Sequence, residues 1–150
     1  MTLHLRPATM DDAKMLFGWR NDPVTREASH NSDEVQWESH MEWLKKSLVS
    51  NTRILYIAEA DGTPVGTMRA DKENGEQEMS WTVAPEARGK GVGKQMVLQF
   101  VQEVLPGAKI VACIKHGNVA SEKIAQALGL SPVKKKFSEN TSPNPPILWR

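Results

Sequence analysis

The 150-residue sequence predicts an α/β (α+β) fold in which a mixed, mostly antiparallel central sheet is flanked by helices. Two tight-turn signals, Asp61-Gly62 and Asn74-Gly75, separate three strand-like segments, which are expected to form consecutive hairpins. A glycine-rich loop then opens an amphipathic helix that Pro106-Gly107 ends, and the near-continuous apolar strand Lys109–Ile114 follows. Hairpins followed by a crossover helix imply a sheet with both antiparallel and parallel neighbours.

The segment before the hairpins is predicted to hold one strand and two helices. Thr2–Arg6 alternates like a short strand, and Thr9 has the character of a helix N-cap. The first helix is expected to end near Asn21-Asp22-Pro23, and a polar loop follows through His30. Ser32 is the predicted cap of the second helix. The apolar face of that helix carries Val35, Trp37, Met41, Trp43, Leu44 and Leu48.

The remaining elements are the three hairpin strands, a helix after the buried strand and a final pair of strands. The hairpin strands are predicted at Arg53–Ala60, Val65–Ala70 and Glu78–Val83. The last helix begins at Asn118 or Ser121, and Gly129 is the residue that follows its C-cap. Leu130–Arg150 holds two short strand candidates around a loop rich in Ser, Pro and Asn.

Composition limits the classes of protein to which the chain can belong. With 39% hydrophobic residues and five tryptophans, the chain fits one domain, residues 1–150, with a substantial core. A formal net charge of +1 gives no basic excess for nucleic acid or for a membrane surface. No apolar run is long enough to cross a bilayer, and the single cysteine, Cys113, excludes an intrachain disulfide. We therefore expect a cytoplasmic domain without nucleic-acid or membrane partners.

The stretch from Val83 to Lys94 carries the functional argument. It follows a strand, precedes an amphipathic helix and has glycines at three alternate positions, where backbone N–H groups can approach a ligand closely. The helix N-terminus adds unpaired donors and a partial positive charge, so the loop is predicted to bind a pyrophosphate. A Walker motif is excluded because Gln95 follows Gly93-Lys94, and the dinucleotide fingerprint because Lys94 replaces its third glycine.

The loop sequence resembles that of the GNAT N-acetyltransferases. Arg88-Gly89-Lys90-Gly91-Val92-Gly93 matches the Arg/Gln-x-x-Gly-x-Gly/Ala pattern of that family, and Val83-Ala84-Pro85 is similar to the end of its fourth strand. Asn118-Val119-Ala120-Ser121 and Leu128-Gly129-Leu130 resemble its next helix. The resemblance extends over nearly the whole chain. It implies the GNAT acyl-CoA N-acyltransferase fold and an acetyltransferase that uses acetyl-CoA as co-substrate, with no metal.

The resemblance also implies positions for the donor. In the family the fourth and fifth strands splay apart, and the pantetheine arm inserts between them. Val83 would then lie beside the thioester, with its backbone N–H polarising the acetyl carbonyl, where negative charge develops. Asn118 would contact the pantetheine. The pyrophosphate would be held by Arg88, Gly89, Lys90, Gly91, Val92, Gly93 and Lys94.

Transfer to an amine requires a base, because an alkyl amine with a pKa of about 10 is protonated at neutral pH. Glu78 is the candidate, directly or through a water. Period two places it on one strand face with Ser80 and Thr82, near the expected cleft. Glu76, closer to the turn, is the alternative base, and a solvated strand position is the alternative role for Glu78.

The general acid departs from the family pattern. Many members carry a tyrosine in the helix after the fifth strand, and the matching position here is Ala125. A thiol with a pKa of about 8.5 leaves tolerably without a strong acid, so the mechanism survives this loss. Ser121 or an ordered water is the candidate substitute.

The acceptor site is expected in the first two helices and their loop. Trp19-Arg20-Asn21-Asp22-Pro23, together with His40 before Trp43-Leu44, is similar to a GNAT subgroup. That subgroup includes nucleotide-linked aminosugar acetyltransferases of the pseudaminic acid type and enzymes that modify protein N-termini. It implies a small-molecule amine as acceptor, with a ring against Trp37 or Trp43, although helical spacing also explains both as core residues. The residues implied to contact an acceptor phosphate are Arg20, His30 and His40.

Several alternatives stay open. A surface or helix-packing role is the alternative for His30 and His40. A non-catalytic domain that binds CoA as a sensor or scaffold fits the departure at Ala125, and the oligomeric state, a homodimer included, is not set by the sequence. An acetyl-cysteine intermediate on Cys113 is disfavoured by its apolar strand, which favours a buried structural side chain. We therefore expect direct transfer in a ternary complex.

Overall fold

The computed structural model describes residues 2–133 and 146–150. The helices are α1 (Ala13–Asn21), α2 (Pro23–Ala28), α3 (Trp37–Val49), α4 (Val92–Val104) and α5 (Val119–Ala127), with short 3-10 turns at Met10–Asp12 and Pro85–Ala87. The strands are β1 (Leu3–Pro7), β2 (Arg53–Ala60), β3 (Thr63–Glu73), β4 (Glu76–Val83), β5 (Ile110–Ile114) and β6 (Ile147–Trp149). Within this described part of the chain, no helix combines the length and apolarity that crossing a bilayer requires.

The six strands form one sheet in the order β1-β2-β3-β4-β5-β6. Neighbouring strands are antiparallel except β4 and β5, which run parallel because α4 crosses over between them. The predicted mixed, mostly antiparallel sheet is therefore confirmed, and both hairpins have their turns at Asp61-Gly62 and Asn74-Gly75. Residues 134–145, on which part of the expected final strand pair falls, lie outside the described residues.

The segment between α1 and α3 differs from the prediction. The sequence predicts a polar loop after Pro23, but Pro23–Ala28 forms α2. The Asp22 side chain accepts a hydrogen bond from the Thr25 N–H at 3.1 Å, so the Asp-Pro pair that ends α1 also starts α2. The predicted cap at Ser32 was wrong as well, because α3 begins at Trp37 with Gln36 as its N-cap.

Register creates a polar strip on one face of the sheet. Arg69 of β3 lies opposite Ser80 of β4, and Asp71 lies opposite Glu78. The β2–β3 ladder pairs Asp71 with Arg53. Because opposite residues of an antiparallel pair point to the same side, these five side chains share one face, which we call the polar strip.

Helices cover both faces of the sheet. α3 lies over the polar strip, since Arg53 donates to Ser47 Oγ of that helix at 3.1 Å. α4 lies on the opposite face, where Phe100 meets Tyr56 edge-on with ring centroids 5.4 Å apart. Met96, Val97 and Phe100 of α4 are fully buried in the main core.

β4 and β5 pair over only two residue pairs, Gln77↔Ile110 and Glu78↔Val111. Beyond Glu78 these strands are no longer paired, and β5 pairs instead with β6 from Ala112 to Ile114. A gap therefore opens beside Met79–Val83 in the middle of the sheet. The gap positions the candidate site.

Candidate active site

A cavity of about 1350 Å³ occupies the gap between β4 and β5. Its walls are Met79–Val83 of β4, Cys113 and Ile114 of β5, the glycine-rich loop and the first turns of α4 and α5. Side chains of α1, α2 and α3 close another side, and the cavity reaches Arg69 of the polar strip. One continuous space therefore joins the glycine-rich loop to the polar strip.

The start of α4 is an open seat for an anion. Gly91 is the N-cap with a φ of +75°, a left-handed conformation that favours glycine, and no side chain caps the helix. A Cβ built at Gly91 would meet no atom within 4 Å, and Gly91 lines the cavity. The first-turn amides lack partners within the helix and carry the positive end of its dipole. These features fit a diphosphate.

Gly93 has a packing role. A Cβ there would lie 3.0 Å from Val83 Cγ2 and 3.1 Å from Ile124 Cδ1, closer than ordinary van der Waals contact. The missing side chain therefore lets α4, β4 and α5 converge. Their convergence brings the helix N-terminus to the end of the gap.

Six of the seven loop residues predicted to hold the pyrophosphate line this cavity. They are Arg88, Gly89, Gly91, Val92, Gly93 and Lys94. Lys90 is exposed and lies outside the cavity lining, which does not favour the contact predicted for it. Asn118 lies on the wall at the start of α5, where its Oδ1 accepts from the Ser121 N–H at 3.2 Å as the helix N-cap.

The backbone N–H of Val83 faces the gap. The next N–H, of Ala84, donates to Val65 O of β3 at 2.8 Å. The N–H of Gln77 donates toward β5, to Lys109 O, at 2.8 Å. Because successive N–H groups of a strand point to opposite edges, Val83 shares the β5-facing edge with Gln77. Its N–H therefore points into the cavity, since β5 has separated from β4 there.

Arg88 is tied to the junction of α1 and α2. Its Nη2 donates to Asp22 Oδ2 and, at 3.0 Å, to Thr25 Oγ1. The hydrogen bond from Arg88 is the largest cause that holds the pKa of the Asp22 carboxyl below its ordinary value. A carboxylate therefore partly neutralises a cation predicted to bind pyrophosphate.

Two contacts connect α2 and the loop after it to β5 and the loop that follows β5. Lys115 Nζ donates to Glu27 O at 2.8 Å, and His30 Nε2 lies 3.3 Å from Cys113 O. Together with the Arg88–Asp22 ion pair, these two contacts connect α2 and the loop after it to both sides of the gap. His30 lines the cavity, as an acceptor contact requires, but it is also exposed and engaged with β5.

Ser121, the predicted substitute for the general acid, lies on the cavity wall. Its Oγ accepts a hydrogen bond from Trp81 Nε1 at 3.1 Å, which leaves the hydroxyl proton available to donate. Ala125, one turn further along α5, is fully buried in a small cluster with Ala112 and Trp149. That cluster has no room for a tyrosine ring without rearrangement.

The two candidate bases differ in their partners. Glu78 is the last paired residue of β4 before the gap, and it lies outside the cavity lining, whereas Ser80 and Thr82 on the same face line it. Glu76 forms a two-bond ion pair with Arg150, each bond 3.0 Å long. Hydrogen bonding to Arg150 lowers the pKa of Glu76 from its ordinary value, which makes Glu76 a poorer base.

His40 is fully buried and does not line the cavity, which does not favour the predicted contact with an acceptor. Its Nε2 lies 2.8 Å from Ala13 O, and a carbonyl can only accept, so Nε2 carries the proton. Nδ1 then accepts from Arg20 Nη1 at 3.0 Å. Burial, followed by repulsion from Arg20, lowers the pKa of His40 against the effect of the Ala13 hydrogen bond, so the ring stays neutral at pH 7. His40 orients Arg20.

Arg20 lies on the cavity wall, as predicted for an acceptor contact. Its guanidinium carbon is 4.3 Å from the centroid of the Trp43 ring, which also lines the cavity. Trp37, the other candidate for an acceptor ring, is 40% exposed outside the cavity lining and packs edge-on against Phe17. Trp43 is therefore the better placed of the two aromatic rings.

Arg69 also lines the cavity, although the alternation of polar and apolar residues along its strand gives it no feature that separates it from a residue on a solvated face. The available signal was its position opposite Ser80, across a predicted hairpin. Cys113, predicted to be buried, is half-buried on the cavity wall.

Solved structures show where this fold occurs. A ribosomal-protein-alanine N-acetyltransferase from Brucella melitensis superposes with a TM-score of 0.78 at 23% identity, covering 97% of each chain. A putative acetyltransferase from Salmonella typhimurium, with its cofactor acetyl-CoA, gives 0.73 at 20% identity over 99% of this chain and 91% of that one. Spermidine N-acetyltransferase from Vibrio cholerae, in complex with CoA and spermine, gives 0.81 at 17% identity over 98% and 93%. These likenesses establish the fold.

The family assignment comes from the sequence model. No curated protein sequence is significantly similar to the chain. The family model described as the acetyltransferase (GNAT) domain matches residues 2–131, which include the glycine-rich loop, both walls of the gap and the start of α5. The chain therefore belongs to the GNAT acetyltransferase family, and it is an N-acetyltransferase that takes its acetyl group from acetyl-CoA.

Proposed function

We propose that the chain transfers the acetyl group directly to a primary amine, with donor and acceptor bound together in the cavity between β4 and β5. The observation that carries this proposal is the continuity of that cavity. It runs from the uncapped N-terminus of α4, past the Val83 N–H, to Arg20 and Arg69. Direct transfer requires both reactants to be held at once in one space.

The donor half is assigned to the loop and the two flanking helix starts. Acetyl-CoA supplies an activated thioester when it is bound. The first-turn amides of α4, with Arg88 and Lys94, hold its diphosphate, and Asn118 contacts the pantetheine arm. The Val83 N–H donates to the acetyl oxygen, where negative charge develops as the amine attacks.

Ser121 is assigned to donate a hydrogen bond to the departing thiolate and to relay to it a proton from water, so that the serine hydroxyl is restored. The Ser121 hydroxyl accepts from Trp81 and can donate its own proton toward the cavity. Ser121→Ala is therefore expected to slow thiol release at saturating substrates while acetyl-CoA affinity is kept. An unchanged kcat would assign this step to water.

The base is assigned to Glu78 acting through water along the face of Ser80 and Thr82, because Glu78 itself lies outside the lining. Glu78→Gln is expected to slow transfer mainly at low pH, where the amine most needs to lose its proton. The measurement is the pH dependence of kcat/KM for acetyl transfer.

Glu76→Gln is the matched control, because Glu76 lies on the same face of β4 but is ion-paired with Arg150. It is expected to leave the pH profile unchanged. Identical profiles for the Glu78→Gln variant and the unmodified protein would remove Glu78 from the base role.

The acceptor classes are nucleotide-linked aminosugars and protein N-termini. Arg20 on the wall and the ring of Trp43 support the first, as partners for a phosphate and a sugar ring. The test is free-thiol release from acetyl-CoA with aminosugar nucleotides, polyamines and peptide N-termini. A domain that only senses CoA would bind it in a calorimetric titration and release no thiol with any amine, which would refute the proposed transfer.

A further inference from the structure

We propose that the acceptor half of the cavity contains an anion subsite, formed by Arg20 and Arg69, which selects amines that also carry a carboxylate or a phosphate. This inference rests on the proposed function, because it concerns the acceptor that shares the cavity with the donor. It adds Arg69 to the acceptor site and names the charge of the substrate.

The polar strip and the helix above it hold more cations than their carboxylates neutralise. Asp71 is shared by two guanidinium groups, at 2.6 Å from Arg53 Nε and 3.1 Å from Arg69 Nε. Glu78 also attracts Arg69. Among the residues that the structure describes, no carboxylate lies within ion-pair distance of Arg20. Three guanidinium groups therefore share two carboxylates, which leaves one positive charge at the cavity.

Arg20 is held in position before any ligand arrives. Its guanidinium lies over the Trp43 ring and donates at 3.0 Å to Nδ1 of His40, a neutral and buried partner. Burial, and then repulsion from Arg69 and Arg53, lower the pKa of Arg20 from its ordinary value. An anion in the cavity would favour the charged form of Arg20 against both burial and repulsion, because it supplies a negative charge close to the guanidinium.

Arg69 presents its guanidinium from the floor of the cavity. It donates to Asp71 from Nε and to Ser80 Oγ from Nη2 at 3.3 Å, and a third of its side chain is exposed. Burial is the largest cause that lowers its pKa, although Asp71 opposes this. Arg20 and Arg69 therefore approach the same space from a helix and from the sheet.

The spacing along β4 fits a small molecule. Ser80, the hydrogen-bond partner of Arg69, lies three residues before Val83 on the same strand. At about 3.3 Å per residue, the two positions are about 10 Å apart. A compact amine can therefore place its anionic group against the guanidinium pair while its nitrogen reaches the thioester.

Two acidic residues oppose this charge at the mouth. Asp33 and Glu34 line the cavity from the loop before α3, and both are exposed. Exposed charges are screened by water and salt, whereas half-buried guanidinium groups act through a lower dielectric. Arg20 and Arg69 are therefore expected to favour acceptors that carry a negative charge. A preference for a positively charged polyamine would contradict this expectation.

The kinetic test uses matched acceptors. Phosphoethanolamine is compared with ethanolamine, and an α-amino acid with its primary amide, each with saturating acetyl-CoA. We expect the anionic member of at least one pair to have a kcat/KM about tenfold higher or more, as charge-assisted hydrogen bonds imply. The pair that shows the larger ratio identifies phosphate or carboxylate as the preferred group. Equal use of both members, or preference for spermidine, would overturn the proposal.

Variants locate the effect. Arg69→Gln is expected to abolish the preference, because it raises KM for the anionic acceptor more than for the neutral member and brings the ratio of their kcat/KM values close to one. Arg69→Lys should restore part of it. Lys45→Gln, which removes an exposed cation from the outer face of α3, is the matched control and should change nothing. Equal losses for both members of a pair in Arg69→Gln would point to a general structural defect and contradict the subsite.

A binding experiment tests the anion subsite independently of acetyl transfer. Inorganic phosphate and acetate are titrated into the CoA-saturated protein, so that the diphosphate site is filled. The readout is tryptophan fluorescence, to which Trp43 beside Arg20 contributes together with Trp19 and Trp81 of the cavity wall. A response that Arg69→Gln loses and Lys45→Gln keeps supports the subsite even if no amine is acetylated. Absence of a response to both anions would overturn it, whereas absence of turnover alone would count only against the transferase mechanism.

Discussion

At the scale of single residues, His40 holds the charged guanidinium of Arg20 in position although His40 itself does not line the cavity. The Ala13 carbonyl fixes its tautomer, and the remaining ring nitrogen accepts from Arg20. The Trp43 ring then stacks within 5.8 Å of the imidazole and beneath the guanidinium. A neutral imidazole is required, because a protonated ring could not accept from Arg20.

Acid should therefore destabilise the fold through His40. Burial lowers its pKa in the folded state below the ordinary 6.5, so the unfolded chain binds the proton first. The stability that neutral His40 contributes is complete above pH 6.5 and is lost as pH falls toward the folded pKa. Thermal unfolding midpoints measured from about pH 8 to 5 should decline, and His40→Gln, which keeps an N–H donor without titrating, should flatten the decline.

Protonation of Asp12 does not contribute to the decline in the unfolding midpoint between about pH 8 and 5. The hydrogen bond from Arg6 is the largest cause that lowers the pKa of Asp12, and the group contributes stability above its ordinary value of 3.8 that is lost only below it. The pH range in which Asp12 loses its stabilising effect therefore lies below the range in which His40 loses its own. Parallel curves for the His40→Gln variant and the unmodified protein would show that His40 has no part in the acid response.

A negative charge at Gly91 should weaken donor binding. Gly91→Glu places a carboxylate at the uncapped start of α4, where the diphosphate is assigned, and weaker acetyl-CoA binding by about tenfold or more is expected. Calorimetric titration measures it. The substitution also costs about 1 kcal/mol of backbone strain at a left-handed φ.

Gly107→Glu is the matched control for that strain. Gly107 has a φ of +73° and no atom within 4 Å of a Cβ, and it lies beyond the other end of α4. The same charge and strain there should leave acetyl-CoA affinity unchanged. Equal affinity in both variants would refute the assignment of the loop.

At the scale of elements, α2 and its flanks determine how the cavity is closed. Asp22 ends α1, caps α2 and pairs with Arg88 of the glycine-rich loop. Lys115 and His30 connect the other end of this segment to β5 and the residue after it. The segment of α2 and its flanks therefore connects both sides of the gap to α1.

Removing the Asp22 charge should strengthen donor binding. Asp22→Asn keeps a good N-cap for α2 but frees Arg88 and removes a negative charge near the diphosphate seat, so the Kd for CoA should fall. The gain should shrink at high salt. Glu42→Gln, which removes an exposed, ion-paired carboxylate from α3, is the control. A weaker CoA complex in Asp22→Asn would instead assign the ion pair a role in shaping the loop.

The elements that the sequence predicts well are those with local signals. The Asp61-Gly62 and Asn74-Gly75 turns define both hairpins, and Asn118 and Gly129 mark the two ends of α5. α2 was missed because Asp22-Pro23 serves both as a stop for α1 and as a start for the next helix. Local propensity gives no means of choosing between these roles when the second helix has only six residues.

At the scale of the whole molecule, two residue pairs join the halves of the sheet across the site. CoA bound in the gap would contact α4, β4 and α5 at once, and would bridge these halves. The position of the loop and of Val83 at the cavity was predictable, because it depends on the backbone. It was not predictable at Arg69 and His40, because their roles depend on register and on packing between distant segments.

CoA should therefore stabilise the whole fold. A ligand that binds only the folded state at about one hundred times its Kd raises the free energy of unfolding by about 2.7 kcal/mol. Differential scanning calorimetry should show this increase. Hydrogen exchange should slow most in β5 and α5, because β5 is joined to β4 over only two residue pairs and α5 begins at the gap. Protection spread evenly over β1 to β3 would contradict the bridging position.

The tight packing around Gly93 has a consequence for donor choice. With Val83 and Ile124 already 3.0 and 3.1 Å from where a Cβ would stand, three backbone segments meet at a fixed separation. The size of acyl group that the enzyme accepts is then limited by the side chains of the meeting walls. Redesign toward propionyl or longer thioesters should begin by trimming Val83 or Ile124, and residue 93 should remain glycine.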